Sequence, residues 1–187
     1  MKIVICGTRE SRDLEVSRQV GEALAGFPSC TVLANGGTYG FPREVPLIAK
    51  ANRPELLIEA YTPFASEEEW RRYAHLGLSD ITDYDHINWL CGQTNDSNLK
   101  LRALQRIPSL LDGSRTAIFY ASNTSGNTHV EIISANSLEI RSFILTPDRE
   151  VRDLLKDSYK MILKRGITRF YSDPNELIKD LFEEVDI

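Results

Sequence analysis

The 187-residue chain has no basic surplus, few cysteines and no long apolar run, and each shortage removes a class of function. Lys and Arg number 22 against 27 Asp and Glu, a formal charge of -5. Without a basic face, affinity built on counterion release from a phosphate backbone is hard to assemble, so nucleic acid is a disfavoured partner. Cys6, Cys30 and Cys91 have no C-x-x-C spacing and read as reduced thiols, not as a disulfide framework. His75, His86 and His129 are scattered, and no metal site is expected. No apolar run approaches the ~20 residues of a membrane span. The opening MKIVICG is also short for a signal peptide's apolar core. A soluble, cytoplasmic protein is the expectation. A strict G-x-G-x-x-G is missing as well, so a dinucleotide site is not indicated and no cofactor is called for.

What is present is an alternation. KIVIC, CTVLA, ELLIEAY, TAIFYA, IRSFIL and ITRFY are short apolar runs rich in β-branched or aromatic residues, and most are separated by stretches of helical period. That order predicts an α/β fold: a doubly wound, mostly parallel, Rossmann-like sheet with helices on both faces. A single domain over residues 1–187 fits the length, with an irregular insertion, a candidate lid, at about 62–98. The first helix is expected over about Leu14 to Ala25, burying Leu14, Val20, Ala23 and Leu24 and stopped by Gly26. REVRDLLKDSYKMILKRG reads as a helix closed by Gly166. The last helix takes Asp173 as N-cap and Pro174 as its first residue.

Ligands of such sheets bind beyond the carboxyl ends of the strands, where three turns stand out. They are CGTRES (Cys6 to Ser11), NGGTYG (Asn35 to Gly40) and ASNTSGNTHVE (Ala121 to Glu131). Glycine lets backbone approach a ligand, and a following helix start offers unpaired N–H groups, so each turn is a candidate phosphate cradle. The candidate binding residues are Gly7, Thr8, Arg9, Gly36, Gly37, Thr38, Gly40, Arg43, Ser125, Gly126, Asn127 and Thr128.

GGTYGFPREVPLIAKA resembles the first motif of the LOG-like proteins, and SGNTHVEIISANSLEIRSFIL is similar to their second. Those proteins belong to the SLOG superfamily, which also holds DprA-like proteins and sensors of nucleotide-derived signals. The resemblance implies two tentative catalytic positions, Glu131 and Arg106, with Arg102 as a rival for the arginine; in the phosphoribohydrolase branch such a pair cleaves a nucleoside 5'-monophosphate. The chain departs from the pattern at Asn123 to Ser125, at Asn127 and at Arg43. Chemically, a carboxylate would stabilise the positive charge that develops on the sugar, and an arginine would hold phosphate or ribose.

Simpler roles stand beside these. Thr128-x-x-Glu131 is also a capping-box pattern. Arg102 and Arg106 could be solvated flanks of the stripe Leu99, Ala103, Leu104, Ile107 and Leu110. Asp83 and Asp85 read as a solvated loop, and Trp70, Tyr73 and Trp89 as packing. The expected function is binding of a nucleotide or nucleotide-derived small molecule. The alternatives are an N-glycosidase and, third, a DprA-like nucleic-acid protein. No membrane is expected, and homo-oligomerisation is left open.

Overall fold

A computed structural model describes residues 1–8, 13–28, 31–90, 98–122, 127–160 and 166–184. Among these residues seven strands pair in one sheet: β1 (Lys2–Gly7), β2 (Val32–Asn35), β3 (Leu57–Thr62), β4 (His86–Trp89), β5 (Thr116–Tyr120), β6 (Arg141–Leu145) and β7 (Thr168–Tyr171). Their order is β4-β3-β2-β1-β5-β6-β7, and every pairing is parallel. The chain therefore runs outward from β1 to one edge, then returns to β1's other side and runs to the opposite edge. The reversal lies between β1 and β5.

Strands covered on both faces read as continuous apolar runs, and β1 shows why. Ile3 and Ile5 enter one core with α1 (Leu14–Leu24), α2 (Phe41–Asn52) and α8 (Pro174–Glu184). Val4 and Cys6 enter the other, beneath α5 (Ile107–Leu111), α6 (Asn127–Ser137) and α7 (Arg149–Tyr159). The short α4 (Leu99–Gln105) flanks that second core through Leu104.

Two expectations need correction. In α1 the buried stripe is Val16, Ser17, Val20, Gly21 and Leu24, while Leu14 is 63% exposed. At 100° per residue Leu14 lies on the opposite side from Val16, and the stripe is set by where α2 crosses: a Cβ on Gly21 would stand 2.8 Å from Ile48. The segment at 62–98 is not irregular throughout. It holds α3 (Glu67–Arg72), two 3-10 turns (Ala74–Leu76 and Ile81–Asp83) and the edge strand β4. A small core of its own forms from Ala60, Phe64, Trp70 and Leu78, with Tyr73 and Trp89 packed against it. Those aromatics pack, as expected, but the four-residue HINW between acidic loops has no alternation long enough to signal a strand.

Helix ends follow local chemistry. Asp148 accepts hydrogen bonds from the Glu150 and Val151 N–H groups at the start of α7. Asp173 accepts from Asn175 N–H, ahead of Pro174 in α8. Gly166 has φ 86°, the left-handed conformation of a cap glycine, although α7 as described ends at Tyr159.

Candidate functional site

β2, β1 and β5 lie side by side, so the three turns that follow them share one sheet edge. Arg9, Ser125 and Gly126 lie outside the described residues. The others can be placed.

The ends of β1 and β5 are tied together. Thr8 N–H donates to Tyr120 O at 3.1 Å, and the Thr8 and Ser122 hydroxyls are 2.5 Å apart. A Cβ on Gly7 would stand 3.1 Å from Tyr120 O, so the residue is small to admit the neighbouring strand. On the third turn, Asn127 opens α6 and Thr128 is buried in its first turn. Since the helix already includes Asn127, Thr128 does not serve as its N-cap, and Glu131 is not reaching back to close a capping box.

At the end of β2, the Asn35 carboxamide accepts from Gly37 N–H at 2.7 Å, which turns the chain sharply. Gly37 and Gly40 have φ 73° and 82°, values that L side chains resist. The bareness of Gly36 and Gly37 has an internal cause too. A Cβ on Gly36 would meet Arg106 Nη2 at 2.3 Å, and one on Gly37 would meet the Trp70 ring at 2.4 Å. The glycine pair is thus packed by two of the protein's own side chains, one arriving after α4 and one from α3. Trp70 is held by its indole N–H on Ser79 O at 3.0 Å. Thr38 forms a bridge with Leu78.

Arg106 sits where α4 passes into α5, 7% exposed. Its Nη2 donates to Glu131 Oε1 at 3.0 Å, and Glu131 is 3% exposed. Arg106 Nε is buried without a hydrogen-bond partner among the described residues. Cys6 lies beside this pair: burial, and then the Glu131 carboxylate, push its thiol well above the ordinary range, with Arg106 opposing. The thiol stays protonated next to the carboxylate.

Arg102, the rival, goes elsewhere. Its guanidinium donates to Pro63 O at 2.9 Å and bidentately to Glu69 at 2.9 and 3.0 Å. Neither arginine is a solvated flank. Arg43 is committed as well, to Asp83 at 2.7 and 3.2 Å and to Glu44 at 2.9 Å. A phosphate on Arg43 would have to compete with two carboxylates. Asp83 and Asp85 are likewise structural, since Asp85 accepts from Ile58 N–H at 2.8 Å and pairs with Lys50. Among the described residues no group of three His, Cys, Asp or Glu could hold a metal ion, and no helix is long and apolar enough to cross a membrane.

Sequence reasoning placed Cys6, Asn35 and Ser122 within the three turns but gave them no role, and it missed Trp70 as part of this edge. Asn35 had a signal, being an Asn immediately before a glycine pair. Trp70 had none, because it arrives from 33 residues further along the chain.

No family model matches the chain, and no curated protein matches it. Solved structures do. The molybdenum cofactor carrier protein of Chlamydomonas reinhardtii superposes with TM-score 0.63 at 16% identity, over 97% of this chain and 96% of that one. The molybdenum cofactor binding protein of the phototrophic bacterium Rippkaea orientalis gives 0.59 at 18%, over 96% of each. DNA processing protein A of Helicobacter pylori, described with a single-stranded DNA binding mode, gives 0.61 at 16%, over 98% of this chain and 80% of its own. The chain shares their Rossmann-type α/β fold. At these identities the likeness is one of fold, and it agrees with the architecture that the sequence resemblance implied.

Proposed function

We propose that the protein binds a nucleotide-derived or similarly phosphate-bearing small molecule at the edge where β2, β1 and β5 end, and does not turn it over. The observation that carries this reading is Arg106. Its guanidinium lies at the topological reversal, neutralised through Nη2 by Glu131 but with Nε unpartnered among the described residues, so an N–H donor is left where this architecture receives ligands. The start of α6 adds N–H donors beside it. The fold neighbours that carry or bind the molybdenum cofactor support a small-molecule role for this architecture.

The pairing of Arg106 with Glu131 favours a second reading, an N-glycosidase acting on a nucleoside 5'-monophosphate. Against it, the carboxylate is already bonded to a guanidinium and has a side chain only 5% exposed, so it is poorly free to activate water. One experiment separates the two. AMP and GMP are titrated into the protein by calorimetry, and the same mixtures are incubated overnight and chromatographed for free base. Binding without base supports the proposal, release of base by the wild type supports the enzyme, and no binding of either removes both.

A further inference from the structure

Beside the glycine turn lies a recess of about 300 Å³, lined by Tyr39, Trp70, Arg71, Leu78, Ser79 and Asp80 among others. It abuts the candidate site directly. Tyr39 N–H donates to Gly77 O at 3.0 Å and Ser79 N–H to Gly37 O at 3.2 Å, so the backbone of Gly37 to Tyr39 is sewn to the recess lining. We propose that this recess holds the planar heterocycle of the ligand whose phosphate end lies at the strand edge. The inference rests on the binding function proposed above and adds a place and a chemical class for the ring.

Three features specify that class. Tyr39, two residues after the glycine pair, is 46% exposed, an aromatic surface that already takes the Arg43 guanidinium 5.6 Å from its ring centroid and leaves ring area for stacking, whereas Trp70 is 2% exposed and forms part of the packed wall. Asp80 is held by Thr82, whose N–H and hydroxyl donate to its Oδ1 at 3.0 and 2.9 Å. Those bonds, the backbone one first, lower its pKa and keep it ionised. Its Oδ2 is not used by them, and a carboxylate oxygen accepts hydrogen bonds and cannot donate. A ring bearing N–H or amino donors suits it, and a phosphate suits the recess less, because Asp80 repels a second anion and the lining guanidinium, Arg71, is already paired with Glu67. The volume is at the small end for ligand pockets, roughly 300–1,000 Å³, and takes a fused ring while leaving a sugar and phosphate outside. The ring is an amino-bearing purine or a pterin, which share donor edges and size.

Wild type, Tyr39→Ala and Asp80→Asn are titrated by calorimetry with AMP, GMP, neopterin and ribose 5-phosphate. Thermal unfolding serves as the check that both variants fold, as the exposure of Tyr39 leads one to expect. At least one heterocyclic ligand should bind wild type more tightly than ribose 5-phosphate, and which one does so distinguishes purine from pterin. Tyr39→Ala should weaken that ligand roughly tenfold or more, the scale of one lost base stack, and Asp80→Asn should weaken it too. Ribose 5-phosphate should be indifferent to both changes. A heterocyclic ligand that binds wild type and both variants equally overturns the recess and leaves the binding function standing. Wild type that binds none of the four overturns the binding function, and the recess with it.

Discussion

Glu131 and Arg106 are a buried ion pair, and that changes what a substitution there does. A capping glutamate replaced by glutamine would alter stability by well under ~1 kcal/mol. A glutamate that neutralises a buried guanidinium is different: Glu131→Gln keeps the shape but strands the charge of Arg106. Breaking such a pair from one side costs about 3–5 kcal/mol, so the urea midpoint should fall substantially. Glu131→Leu combined with Arg106→Met should recover most of the loss, because the isolated charge is gone. A loss below 1 kcal/mol for the single variant would mean that Arg106 is not dependent on Glu131. Gly36→Ala tests the same guanidinium from its other side. The new methyl would be 2.3 Å from Arg106 Nη2, so overpacking of about 1–3 kcal/mol is expected, with Arg106→Met relieving it. Nothing at this level could be read from the local sequence beyond the residue types, since the same glycines serve equally well as a ligand cradle or as room for an arginine.

The helix α4 buries charge beside its apolar residues. Its Arg102 and Arg106 C-terminal neighbour face inward, both 7% exposed, while Leu101 stays 45% exposed and Ala103 and Leu104 are only partly covered. The stripe of Leu99, Leu104, Ile107 and Leu110 does pack, and the arginines beside it are buried as well instead of flanking it in solvent. That burial of charge is stabilised by acceptors from other elements, Glu69 in α3 and Glu131 in α6. Glu69 is worth testing because Arg102, ahead of other causes, holds its carboxyl below the usual carboxylate range. A depressed folded pKa contributes stability that is fully present above the unfolded value, ~4.3, and disappears as pH falls through the folded one. The stability difference between wild type and Glu69→Gln should thus be level from pH 7 to about 5 and shrink below about 4, read from urea unfolding at each pH. A difference independent of pH would show that the carboxylate charge is not what Arg102 uses. The strand β4 belongs to the same lesson: it is a strand because β3 offers it an edge, Glu59 to Thr62 pairing with His86 to Trp89, and not because HINW has a strand's pattern.

For the molecule as a whole, the charge balance and the fold neighbours pull apart. One neighbour is described with single-stranded DNA, yet this chain carries -5 and its placed arginines at the edge are committed to carboxylates. Little counterion release is available, so a labelled oligonucleotide should show no anisotropy change with micromolar protein at about 0.15 M salt. Saturable binding there would restore the nucleic-acid reading. The α/β class, the order of most strands and helices, and the three turns at one edge were all readable in advance, because periods of 2 and 3.6 and the glycine punctuation are local properties of the chain. The chemistry of the edge was not. Arg106 meets Glu131 across 25 residues, Arg102 meets Glu69 across 33 and Arg43 meets Asp83 across 40. Which carboxylate each arginine reaches depends on how helices cross a sheet that reverses between β1 and β5, and a periodicity carries no information about a crossing. The residue types and their neighbourhood were written locally; their partners, burial and free atoms were decided only when distant elements packed.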